Sequence, residues 1–121
     1  MINGVDHIAI NTMKLEQSKQ FYMDVLGLEV EPRPDIEIPG CWLRANGRDF
    51  LHLFQMGSDV PPSHGGIDHF AMSIDDMESA RARLEKHNIT YREHALPDGS
   101  RRQFFFDDPN GIMVELTWRA G

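Results

Sequence analysis

Apolar and polar positions follow the same order twice along this chain of 121 residues. Residues 5–11 and 67–74 alternate apolar and polar side chains, which predicts a half-buried strand at the start of each half. Residues 15–26 and 77–86 then carry apolar side chains at helical spacing. We expect each half to begin with a strand followed by an amphipathic helix.

Three more strand-like segments follow the helix in each half. Turn-forming residues separate them, including Asn46-Gly47 and Asp98-Gly99. The order βαβββ is therefore predicted twice, with Thr12 as the N-cap of the first helix and Asp75 or Asp76 as the N-cap of the second. The segments are 28–31, 40–44 and 49–55 in the first half, and 90–95, 100–107 and 111–118 in the second.

A sequence repeat supports this division. Residues 4–10, Gly-Val-Asp-His-Ile-Ala-Ile, return as residues 66–72, Gly-Ile-Asp-His-Phe-Ala-Met, with four of the seven positions identical. We predict one α+β domain over residues 1–121, made of two βαβββ modules at 4–55 and 66–118. Residues 56–65, which are rich in turn formers, are the predicted linker. Two such modules are expected to form a curled mixed sheet around a cleft.

Four residues with metal-binding side chains occupy matching positions of the two modules. His7 and His69 lie 62 positions apart on the first strands, and His52 and Glu115 lie 63 positions apart on the last strands. A single histidine on an apolar strand is more often a hydrogen-bonded core residue than a ligand. An unpaired carboxylate among apolar neighbours is costly, however, and one ion would satisfy all four side chains. Three imidazoles and a carboxylate suit one divalent ion per site, Zn, Ni, Fe, Mn or Co.

The amino-acid composition restricts the classes of molecule that the protein is expected to bind. The chain is 40% hydrophobic and 26% charged, as in soluble globular proteins. Its 12 basic and 19 acidic residues, for a net charge of −7, argue against nucleic acid. No apolar run reaches the roughly 20 residues of a membrane span, and the start lacks the pattern of a signal peptide. The lone Cys41 excludes an intramolecular disulfide, so we expect a cytoplasmic protein with a small-molecule substrate.

The motifs resemble those of the vicinal-oxygen-chelate superfamily. Each half begins with Asp-His, and Asp-Pro-Asn-Gly at 108–111 leads to Glu115 in the last strand. This superfamily includes glyoxalase I, extradiol dioxygenases, methylmalonyl-CoA epimerase, fosfomycin-resistance enzymes and bleomycin-binding proteins. The resemblance implies that His7, His69 and Glu115 are metal ligands. It also implies a substrate that chelates the metal through vicinal oxygens, with the metal acting as a Lewis acid.

One position departs from the glyoxalase pattern. His52 occupies the slot that is Glu in glyoxalase I, which counts against lactoylglutathione lyase activity. His52 is either a fourth ligand or a free acid/base, and Glu115, the only carboxylate of the set, is the candidate proton shuttle. Strand alternation suggests a substrate pocket beside these residues. Its predicted lining is Trp42, Arg44, Phe50, Phe54, Arg101, Gln103 and Met113.

Three functions are compatible with these residues. The first is a metal-dependent lyase or isomerase of glyoxalase type. The second is an Fe(II) extradiol-type dioxygenase, in which His7, His69 and Glu115 form a two-His-one-carboxylate triad. The third is a non-catalytic antibiotic-binding resistance protein, a class whose members lack the metal set. A homodimer is expected, with the site either within one chain or completed by exchange of modules between subunits.

Overall fold

The computed structural model describes residues 5, 7–34, 38–57, 67 and 69–121. The chain divides into two compact units, Met1–Ser63 and His64–Gly121. Of the predicted linker, residues 58–65 lie outside the described residues, as do Gly4, Asp6, Gly66 and Asp68 of the repeated motif. The module boundaries therefore stay a prediction.

The first unit is a four-stranded sheet with one helix. The strand order is β1-β4-β3-β2, in which β1 runs parallel to β4 and the other neighbours are antiparallel. Helix α1 packs against β4, where the side chains of Leu51 and Leu53 are fully buried. The elements are β1 (Ile8–Thr12), α1 (Leu15–Asp24), β2 (Glu29–Glu31), β3 (Gly40–Ala45) and β4 (Arg48–Gln55).

The second unit has the same topology. Its strand order is β5-β8-β7-β6, again with the first strand parallel to the last. Phe104 and Phe106 are buried on one face of β7, and the guanidinium carbon of Arg81 in α2 lies 5.2 Å from the Phe104 ring centroid. The elements are β5 (His69–Ser73), α2 (Met77–Lys86), β6 (Arg92–Ala95), β7 (Arg101–Asp107) and β8 (Met113–Arg119).

The predicted α+β class and the tandem βαβββ order are confirmed. Over the described part of the chain, the fold has two helices and eight strands in two mixed sheets. The hairpin from β3 to β4 turns at Asn46 and Gly47, which both have positive φ (53° and 74°), as a two-residue type I′ turn requires. None of the helices within these ranges is long and apolar enough to cross a membrane.

One helix cap was predicted correctly and one was not. Asp76 caps α2, and its side chain accepts hydrogen bonds from the backbone N–H groups of Glu78 and Ser79. Thr12 does not cap α1, because it is the last residue of β1 and the N-cap is Lys14. The Thr12 hydroxyl is fully buried and accepts from the Lys14 N–H at 2.9 Å, so it stabilises the turn between β1 and α1 instead.

Candidate functional site

His52 lies in the middle of the first sheet, in a stack of three rings. Strand β4 runs between β1 and β3, and the register places His52 opposite Ala9 on one side and Trp42 on the other. The Trp42 ring stacks on the imidazole with centroids 4.2 Å apart and planes 5° apart, and His7 stacks at 4.0 Å and 18°. The imidazole is only 6% exposed, so the stack fixes the plane of its ring.

Asp49 completes a cluster around His52. Leu43 pairs with Leu51 while the next residue, Arg44, pairs with Asp49, so Phe50 is an extra residue in β4 and forms a β-bulge. Because of the bulge, Asp49 lies beside His52 although the two are three positions apart. Nε2 of His52 is 2.9 Å from both carboxylate oxygens of Asp49.

Two carboxyl groups of the first unit contact each other at this cluster. Partial burial, and then a hydrogen bond with Asp49, raise the pKa of Glu31 above its ordinary value. Burial also pushes the pKa of Asp49 upward, but its hydrogen bonds with Glu31 and His52 outweigh this and leave that pKa lowered. Oε2 of Glu31 is buried without a hydrogen-bond partner in the part of the chain that the structure describes. The face that carries His52 is therefore acidic as well as aromatic.

Glu115 holds the matching place in the second unit. Its carboxylate is 5% exposed, and Oε1 lies 3.2 Å from Nε2 of His69. The side-chain amide of Gln103 donates to Oε2 of Glu115 at 3.2 Å, and Oε1 of Gln103 accepts from Nδ1 of His94 at 3.0 Å. Both oxygens of this buried carboxylate are thus held by polar side chains from neighbouring strands.

The strand register makes His52 and Glu115 equivalent. Ala9 of β1 pairs with His52 of β4, and Ala71 of β5 pairs with Glu115 of β8. His7, immediately before β1, and His69, the first residue of β5, each precede that alanine by two positions and so belong to the same face, because side chains alternate along a strand. Each unit thus brings its two predicted ligands to one face of its own sheet.

The predicted pocket residues divide into two groups. Trp42 stacks on His52, Gln103 bonds Glu115, and Met113 is the register partner of His69. The other four make no such contact with a predicted ligand among the contacts of the described residues. Arg44 forms an ion pair with Glu29 at 3.5 Å, and Arg101 is the register partner of Arg119. Phe50 and Phe54 are half-buried.

These residues fit a divalent cation. His7, Asp49 and His52 each offer one ligand atom, and the three atoms lie within 4.8 Å of one another. His69 and Glu115 offer an imidazole nitrogen and a carboxylate oxygen 3.2 Å apart. Neutral imidazole and carboxylate are the ligands preferred by zinc and by the other borderline divalent metals. Asp49 was not predicted as part of this set, because a bulge leaves no pattern in the sequence.

Comparison with known proteins gives a consistent result. The model of the Glyoxalase/Bleomycin resistance protein/Dioxygenase superfamily matches residues 4–116. The uncharacterized protein YaeR of Escherichia coli K12 is 34% identical over 125 residues, which cover 95% of each chain. Glyoxylase I 4 of Arabidopsis thaliana is 25% identical over 95% of this chain and 70% of its own length. The crystal structure of a glyoxalase/dioxygenase from Nostoc punctiforme shares the fold with a TM-score of 0.80, at 23% identity over 98% of this chain and 92% of that one.

Proposed function

The chain belongs to the Glyoxalase/Bleomycin resistance protein/Dioxygenase superfamily, as its motifs indicated, and on that premise we propose that it is a divalent-metal-binding enzyme. The proposed reaction is that of a lyase or isomerase acting on a small substrate that chelates the metal through vicinal oxygens. The family description covers enzymes and resistance proteins alike, so the choice of an enzyme rests on the residues of this chain.

One observation carries the proposal. The equivalent register positions of His52 and Glu115 place a histidine and a second ligand-type residue on one face in each unit. A structural role would require no such match between the two units, and the Glu115 carboxylate is 95% buried beside His69 and Gln103. We take His7, His69 and Glu115 as the metal ligands and His52 as the fourth. When bound, the metal supplies Lewis-acid stabilisation of negative charge on the oxygens of the substrate.

Proton transfer and the exclusion of water are assigned to side chains of this protein. Glu115 is the candidate proton shuttle, since Oε1 and Oε2 are held by His69 and Gln103 and the carboxylate is positioned before any substrate binds. His52 is the alternative acid/base at Nε2, the nitrogen next to Asp49. Trp42 covers one face of the His52 ring and keeps water away from it. Glu115 and His52 thus receive chemical roles at positions where an ordinary apolar strand would carry core residues.

Metal analysis of the purified protein tests the proposal. Protein prepared without chelator is expected to contain about one divalent ion per chain, and His69→Ala and Glu115→Ala are expected to lose it. His87→Gln, at the C-cap of α2, is the matched control and should retain the metal. Loss of metal in His52→Ala identifies a fourth ligand, whereas retention identifies a free acid/base. A protein without stoichiometric metal would contradict the proposal.

An extradiol-type dioxygenase is the second candidate. Two imidazoles and one carboxylate, at His7, His69 and Glu115, are the ligand types of non-haem Fe(II) oxygenases. Protein loaded with Fe(II) under argon and then mixed with catechol and oxygen distinguishes the two reactions. Oxygen consumption above that of the His69→Ala variant would favour the dioxygenase. The lyase or isomerase requires no oxygen.

The proposal includes a homodimer in a reducing compartment. Exchange of equivalent elements between subunits is a low-cost route to dimers, and a duplicated chain offers such elements. Cys41 is buried and unpaired, as expected where thiols stay reduced. Light scattering on the purified protein tests the dimer, and a monomer at micromolar concentration would contradict it.

A further inference from the structure

The second unit contains a cleft that the proposed chemistry does not use. Its volume is about 540 Å³, and it is lined by residues 88–92 between α2 and β6, by residues 105–107 of β7 and by Met113. All of these residues belong to one unit, so the cleft is complete within it. Ligand sites commonly have volumes of this order.

The cleft adjoins the proposed metal ligand His69. The Phe105 and His69 rings are nearly perpendicular (88°), with centroids 5.9 Å apart. Met113 is the register partner of His69. Phe105 and Met113 therefore line the cleft and also lie next to His69.

Arg92 is the cationic side chain of this cleft. Its guanidinium carbon lies 5.2 Å from the Phe105 ring centroid, a distance typical of a cation–π contact. Two nearby arginines have carboxylate partners, since Arg81 pairs with Glu78 and Glu93 and Arg102 pairs with Glu93. Arg92 has no ion pair with any residue in 5, 7–34, 38–57, 67 and 69–121. Within those residues, the Arg92 guanidinium group lies over the Phe105 ring and has no carboxylate partner.

The first unit has no counterpart of this cation. Arg92 pairs with Phe105 in the register of β6 and β7, and the residue that pairs with Trp42 in β2 and β3 is Glu31. The same position of the repeat therefore carries opposite charges in the two units.

We propose that the cleft, whose lining includes Ile89, Phe105 and Met113, binds the non-reacting part of the substrate, an apolar group bearing a single carboxylate, and that Arg92 binds this carboxylate. The planar guanidinium group matches a carboxylate through two parallel hydrogen bonds. Asp107 is also part of the lining, so one cation and one anion favour a monoanion over a phosphate dianion. The role of the cleft as a substrate subsite rests on the proposed function, but the binding of the acid does not.

The test uses metal-free protein, so it is independent of the proposed metal site. Chelator-treated, dialysed protein is titrated with phenylacetate and with the neutral phenylacetamide, and the NMR signals of Met113 and Phe105 are followed. A charge-assisted hydrogen-bonded pair predicts that the acid binds at least about tenfold more tightly than the amide. Arg92→Ala should abolish that preference, and Arg92→Lys should retain part of it.

A matched control is Arg83→Ala, which removes an exposed arginine of α2 and should leave both affinities unchanged. Thermal unfolding of each variant shows whether it is folded. Equal affinities for acid and amide, an unchanged preference in Arg92→Ala, or no binding of either compound would overturn the proposal. Failure of metal binding with the acid preference intact would overturn only the proposed function.

Discussion

His52 and Asp49 make a two-point contact, in which Nε2 of the imidazole lies 2.9 Å from Oδ1 and 2.9 Å from Oδ2. Stacking by Trp42 and His7 fixes the plane of the ring, and Asp49 fixes the direction of its nitrogen within that plane. An imidazole so restrained loses little rotamer freedom when it acts as a ligand or as an acid/base.

Asp49→Ala is expected to weaken metal binding about 10- to 100-fold, the usual cost of removing a residue that orients a metal-binding histidine. Asp49→Asn should recover part of the loss, because an amide oxygen still accepts a hydrogen bond from the imidazole. Competition with a chromophoric chelator measures the Zn²⁺ affinity. Glu29→Ala removes an exposed carboxylate and is the control. Equal affinities of Asp49→Ala and the control would show that Asp49 does not position His52.

Gln103 should have the same importance for Glu115. Gln103→Leu removes the donor to Oε2 and leaves that buried oxygen without its hydrogen bond, so we expect about a tenfold loss of metal affinity. His94→Ala removes only the residue that donates to Gln103, at the outer end of this series of hydrogen bonds, and should reduce the metal affinity less. The same chelator competition checks both variants. A larger loss in His94→Ala than in Gln103→Leu would contradict the order of the contacts.

The buried face of β4 should dominate the stability of the first unit. Leu53 is fully buried, so Leu53→Ala is expected to lower the free energy of unfolding by about 2–5 kcal/mol. Val30 is 44% exposed, and Val30→Ala should stay within about 0.5 kcal/mol of the wild type. Urea denaturation followed by circular dichroism measures both. Similar losses in the two variants would contradict the assigned core.

Low pH should remove the contribution of the Asp76 helix cap to the stability of the fold. Hydrogen bonds from the Ser79 hydroxyl, and from the backbone N–H groups of Ser79 and Glu78, lower the pKa of Asp76. The pKa of Asp76 is therefore lower in the folded protein than in the unfolded chain, where it is about 4. The cap stabilises the fold fully at pH values above the unfolded pKa, and this stabilisation is lost as the pH falls through the folded pKa. Asp76→Ala should therefore have a lower Tm than the wild type at pH 7, and the two should converge below about pH 4. Asp75→Ala is the neighbouring control, and a Tm gap independent of pH would contradict the prediction.

The hydrophobic periodicity and the sequence repeat were sufficient to predict the fold, because both patterns can be read from neighbouring residues along the chain. The repeat sets the order of elements, and alternation of apolar and polar residues fixes which face of each strand is buried. The same two patterns aligned His52 with Glu115, and the register of the sheets agrees with that alignment. The identity of the metal and the reaction leave no comparable pattern.

The residues whose roles were not predicted from the sequence owe those roles to contacts between distant parts of the chain. Arg44 was predicted to line the pocket, and it forms an ion pair with Glu29 on the neighbouring strand. Arg92 lies against Phe105 instead, and nothing in its local sequence distinguishes it from the other arginines. Thr12 resembles an N-cap in sequence, yet it pairs with Gln55 at the end of β1, so the strand extends past the expected helix start.

The bulge at Phe50 decides which face of the sheet the Asp49 side chain occupies. In a regular ladder such as that of β7 and β8, residues three positions apart lie on opposite faces. The extra residue in β4 brings Asp49 to the face that carries His52. Deleting Phe50 would restore the ladder and leave the two residues two positions apart, still on one face, so homologues without the bulge can keep the same pair at the shorter Asp-x-His spacing. A search for this carboxylate among homologues therefore has to allow both spacings.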